Sequence, residues 1–155
     1  MLIDPALHQL INEFGQTMRL SDLKLDNDGG CAVRLDKKLV VNLQCREVER
    51  ELWFYADMGT PATGSKIYAD LLRGNLFWSA TFGATLSLSG DTPPHIIITL
   101  PITWYGMDGS TLLKQLEIFV NAVEEWSEYI ANENVTSEDT TELDASDINL
   151  LMSRA

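Results

Sequence analysis

Cysteine and histidine are scarce: the 155 residues hold two of each. Cys31 and Cys45 lack CxxC spacing and are too few to frame a disulfide-stabilised fold, so both read as small buried hydrophobes on strand segments. His8 and His95 stand far apart, and no Cys/His/carboxylate cluster has metal-ligand spacing, which argues against a transition-metal site. Basic residues are also few, 11 against 23 acids, for a net charge of −12 and a pI near 4.4. Phosphate contacts depend on Lys and Arg, so nucleic acid is disfavoured as a partner. No apolar run approaches the ~20 residues that span a bilayer, and the opening Met1-Leu2-Ile3-Asp4-Pro5 lacks the basic stretch of a secretion signal. These absences predict a cytoplasmic protein without membrane insertion.

Enzymatic signals are missing too. No P-loop or dinucleotide-binding glycine motif occurs. The run Asp26-Asn27-Asp28-Gly29-Gly30 resembles a calcium loop only at its start. It puts Cys31 where glycine is required and Lys37 where a bidentate glutamate is required, and so reads as a tight turn. The expectation is a protein with no catalytic residues, no metal and no cofactor.

What is present is one domain's worth of alternating and helical apolar pattern. Asp4 as N-cap and Pro5 in the first turn open a helix carrying Leu7, Leu10, Ile11, Phe14 and Met18. Three strand segments follow. Cys31, Val33 and Leu35 alternate on the first, Leu39, Val41, Leu43 and Cys45 on the second, and Leu52, Phe54 and Ala56 on the third, with Trp53 and Tyr55 on its other face. Short spacings imply an antiparallel meander. Ser65 is placed to cap a second helix through Ile67, Tyr68, Leu71, Leu72 and Leu76, finished by Phe77 and Trp78. Phe82, Ala84, Leu86 and Leu88 then share one face of a strand. After the turn at Gly90-Asp91-Thr92-Pro93-Pro94, a central strand runs from His95 to Leu100 and is closed by Pro101.

A last helix begins near Asp108 or Ser110 with Leu112, Leu116, Phe119, Val123, Trp126 and Ile130 along one stripe. Residues 132–155 hold six acids and one base, so five of the twelve net negative charges fall in this stretch, which reads as a flexible acidic tail. The fold class is α+β in the order α-β-β-β-α-β-β-α, with a twisted, largely antiparallel sheet packed with helices over residues 1–131. Trp53 and Tyr55 on the second face of a strand leave two outcomes open. Three helices divide between both faces, or a partner protein covers one.

The segment Leu71-Leu72-Arg73-Gly74-Asn75-Leu76-Phe77-Trp78, continued by Gly83-Ala84-Thr85-Leu86, resembles class I type III secretion chaperones, the Tir chaperone (CesT-like) family. Leu25-Asp26 with Asp28-Gly29 and Cys31 resembles that family's first hairpin, and Phe119-Val120-Asn121-Ala122-Val123-Glu124-Glu125-Trp126 its last helix. The resemblance spans about residues 5–130. It implies a homodimer that binds the N-terminal segment of a secreted effector, keeps it export-competent and delivers it to the secretion apparatus, with the secretion ATPase a further partner. It also implies a dimer interface of Leu72, Leu76, Phe77, Trp78, Thr85, Leu86 and Leu88, and an effector-binding surface of Phe14, Val33, Leu35, Val41, Leu43, Trp53 and Tyr55. Arg73-Gly74 stands where many members of the family have an acid and a small residue such as alanine, and close approach of a second subunit is the expected reason for the glycine. The competing reading is a YbjN-like regulatory or adaptor module that binds a folded partner.

Overall fold

The computed structural model describes residues 3–36 and 38–152, with side chains as far as residue 136. Helix α1 (Pro5–Thr17) starts where the sequence places it, with Asp4 Oδ1 accepting from the Ala6 amide at 2.8 Å. The Asp26 carboxylate accepts from the amides of Asp28 and Gly30, which closes the acidic turn on itself. That turn joins no pair of strands; it delivers the chain into β1 (Gly30–Leu35).

Strands β2 (Leu39–Arg46), β3 (Glu51–Asp57), β4 (Thr85–Leu88) and β5 (Ile96–Thr103) complete a five-stranded sheet in the order β1-β2-β3-β5-β4, every neighbour antiparallel. One cross-strand row, Cys31–Leu43–Phe54–Leu100, and its neighbours Val33–Val41 and Ala56–Ile98–Leu86 face the core. The row between them, Ala32–Asn42–Tyr55–Thr99–Thr85, faces outward and is half-buried or exposed. Period-two alternation therefore separates a dry face from a wetter one.

Helix α3 (Gly109–Met152) packs against α1 and over the dry face. Asp108 caps it by accepting from the Thr111 amide at 2.7 Å, and the Phe54 and Phe119 rings meet at 5.9 Å between centroids. Leu112, Leu116, Phe119, Val123 and Ile130 are buried along the predicted stripe. Close approach at the start of α3 requires glycine. A Cβ on Gly109 would stand 2.6 Å from the backbone of Glu13 and Phe14. The helix continues to Met152, through most of the stretch set apart as a tail; residues 153–155 and the side chains from 137 onward lie outside the described residues.

Three boundaries differ from expectation. Helix α2 (Ile67–Gly74) ends four residues early, and a 3₁₀ segment (Leu76–Thr81) carries Phe77 and Trp78 in the left-handed region, at φ of 54° and 53°. Phe82 is left-handed as well, so β4 starts only at Thr85 and Phe82 is not on its face. Strand β5 also runs through Pro101 to Thr103. The Ile96 amide and carbonyl bond toward β3, whereas the His95 carbonyl accepts from Ser89 on the β4 side. Parity then turns the donor missing at Pro101 toward β4, which ends at the Thr85–Thr99 pair, so no ladder bond is lost.

Candidate functional site

The residues expected to make a dimer interface lie around Asn75, at the junction of α2 and β4. The Asn75 side chain pairs with the backbone of Leu86 in both directions, Nδ2 donating to the carbonyl at 2.9 Å and Oδ1 accepting from the amide at 2.8 Å. This two-point bond ties the end of α2 to the edge strand β4. Beyond it the chain turns outward. Leu72 is 75% exposed, Phe77 84% and Trp78 53%, and Leu76, Phe82 and Leu88 are exposed beside them. Trp78 Nε1 donates to Thr85 Oγ1 at 3.1 Å, which fixes the indole over the outward side of β4. Leu86 differs: it is 4% exposed and points into the core.

The second group of residues does not gather in one place. Phe14, Val33, Val41 and Leu43 are buried between sheet and helices. Trp53 and Tyr55 are half-buried on the outward face, where the Arg46 guanidinium lies 5.2 Å from the Trp53 ring centre. Leu35 lines an open cleft of about 710 Å³ between the β1–β2 turn, the end of β3 and α3, with Leu39, Met58 and Val123 as its other apolar walls.

With that geometry in view, the profile of the Tir chaperone protein (CesT) family matches residues 9–127. The chain belongs to this family. Solved structures superpose over most of its length. The structure described as the ExsC–ExsE complex is 19% identical, with a TM-score of 0.71 and coverage of 84% of this chain and 97% of that one. The type III secretion chaperone SycH of Yersinia pestis, solved with a stable fragment of YscM2, is 26% identical at a TM-score of 0.62, covering 76% and 97%. The HopA1–SchA chaperone–effector complex is 18% identical at 0.67, covering 82% and 99%. No curated protein matches the chain in sequence.

Among the described residues no group of three His, Cys, Asp or Glu is placed to hold a metal, and no helix is long and apolar enough to cross a membrane. Burial, with Asp26 nearby, pushes the Cys31 thiol up to about 11, and burial followed by Glu47 and Asp4 raises Cys45. Both shifts favour the protonated thiol over the thiolate.

Several contacts beside this patch escaped the sequence reading of this CesT-family chain. Trp126 of α3 donates from Nε1 to the Ala80 carbonyl at 3.0 Å and packs edge-on against Tyr129, whose hydroxyl donates to Asp70 at 2.8 Å. Hydrogen bonds from Tyr129 and then Arg73 hold the Asp70 carboxyl below its usual range. These contacts clamp α2 and the 3₁₀ segment onto α3 from within. They also correct the reason for Gly74, which accommodates the ring of Trp126 in the same chain rather than a second subunit. The apolar stripe on α3, Trp126 included, was visible in the sequence, but nothing in its spacing pointed Trp126 at Gly74.

Proposed function

We infer that this CesT-family chain is a type III secretion chaperone. It binds the N-terminal chaperone-binding segment of one or more effector proteins, keeps that segment export-competent and hands it to the secretion apparatus, with the secretion ATPase as a docking partner. The observation that carries the reading is a family match over residues 9–127 on a fold that leaves apolar surface open in two separate regions. The exposed set Leu72, Leu76, Phe77, Trp78, Thr85 and Leu88 is the self-association seam, with Leu86 supporting it from the core side. Client contact falls to the Leu35 cleft, the outward Trp53 and Tyr55, and the free edge of β1, where an extended segment can add as a strand while apolar side chains fill the cleft. Phe14, Val33, Val41 and Leu43 shape that surface from beneath. The protein acts in the bacterial cytoplasm and carries out no reaction.

Co-expression with the N-terminal regions of candidate type III effectors tests this reading. The expected result is a soluble complex in which limited proteolysis leaves a client segment tens of residues long protected. A client digested as fast in the mixture as alone would sink it.

A further inference from the structure

Phe77 and Trp78 hold a left-handed backbone while their side chains stand 84% and 53% exposed. Bulky residues adopt that conformation only where surroundings impose it, and side chains in solvent impose little. The restraint therefore comes from the flanks. On the β4 side it is the Asn75–Leu86 pair, together with the Gly83 amide, which donates to the Trp78 carbonyl at 3.1 Å. On the other side it is α3. Trp126 Nε1 donates to the Ala80 carbonyl at 3.0 Å, the Tyr129 hydroxyl to Asp70 at 2.8 Å, and Asn134 Oδ1 accepts from the Ala62 amide at 2.9 Å. Three side chains within about two turns of one helix thus reach the 3₁₀ segment, α2 and the loop that leads into α2.

Trp126 also fills the space beside Gly74, so it serves the fold directly. The other two serve it less. Tyr129 is 39% exposed and the Asp70 side chain 27%, and a hydrogen bond that water can replace adds little net stability. Their effect falls on placement, because α2 buries only Ile67, Leu71 and Gly74 of its eight residues and apolar packing gives it a short footprint. Both also lie past the residues 9–127 that the family profile matches. In a twofold contact each copy presents the same surface, so a displaced α2 would misplace both halves at once. Resting on the reading of the exposed set around Trp78 as the self-association seam, we propose that Tyr129 and Asn134 are positioning residues for self-association: acting through α2, they set the angle at which Phe77 and Trp78 meet a second copy.

Full-length variants test this. Tyr129→Phe removes the hydroxyl and keeps the ring against Trp126, Asn134→Ala removes the acceptor, and Asn134→Asp restores one for the Ala62 amide. Sedimentation equilibrium over a dilution series gives the dimer dissociation constant of each. Urea unfolding of the same substitutions in the Trp78→Asp chain, which the seam reading makes a single chain, gives their effect on the fold free of association. Tyr129→Phe and Asn134→Ala combined are expected to weaken the dimer about tenfold, with Asn134→Asp matching the wild type and the urea midpoint nearly unmoved throughout. Undiminished association in the combined variant overturns the positioning role and leaves the seam standing. So does a urea midpoint that falls in step with association, which marks a purely structural role, or an Asn134→Asp chain that associates as weakly as Asn134→Ala. A wild-type chain that stays single across the series, or a Trp78→Asp chain that stays paired, refutes the seam and the positioning role together.

Discussion

Gly74 shows how a residue that looks wrong for its element can be right for its neighbour. Alanine is preferred to glycine in a helix by about 1 kcal/mol, yet a Cβ here would stand 2.4 Å from Cζ2 and 2.6 Å from Cη2 of Trp126, and 3.1 Å from Leu86 Cδ1. Overpacking outweighs propensity, so Gly74→Ala is expected to lower stability by about 1–3 kcal/mol in urea unfolding. Combining it with Trp126→Leu should recover part of that loss, because the two positions share one volume. The sequence displayed the anomaly but not its cause, which lies some fifty residues downstream on another helix. Phe77 and Trp78 were illegible in a different way. Their apolar character read as the end of a helix, whereas their left-handed backbone is one that bulky residues adopt only when surroundings impose it.

Among the elements, those with strong local signals were read correctly. Asp4-Pro5 fixed the start of α1, Asp108 that of α3, and strict alternation the core faces of β1 to β3. Elements whose limits depend on contacts distant in sequence were not. The end of α2 is set by Asn75 reaching across eleven residues to Leu86, and the length of β5 by how far β4 extends beside it. Asn75→Ala removes both bonds and leaves the Leu86 carbonyl and amide without those partners. A loss of about 1–3 kcal/mol is expected, together with faster hydrogen exchange at the Leu86 amide than at Ile98 on the neighbouring strand. Equal protection at both amides would show that β4 is held by its ladder with β5 alone.

For the whole molecule, the strand pattern could not say which side of the sheet the helices would take. Val33, Val41 and Leu43 look alike in sequence whether they meet a helix of their own chain or a client, and the structure commits them to the core. The exposed apolar residues of α2, the 3₁₀ segment and β4 gather at the β4 edge, around Trp78. Self-association through that seam predicts a particle of about twice 17.3 kDa by light scattering. Trp78→Asp should reduce it to a single chain, since burying an unpaired charge in an apolar contact costs several kcal/mol. Because Trp78 is half exposed in the lone chain, the variant should keep its circular dichroism, so a fall in mass reports association and not unfolding.

The order β1-β2-β3-β5-β4 then acts as a ruler. Four strand spacings of about 4.8 Å place the free β1 edge roughly 19 Å from the seam, so a twofold pair would hold its two free edges on the order of 40 Å apart. An extended chain advances about 3.3 Å per residue, so a client touching both edges must be at least about a dozen residues long. Shorter peptides would be confined to one half.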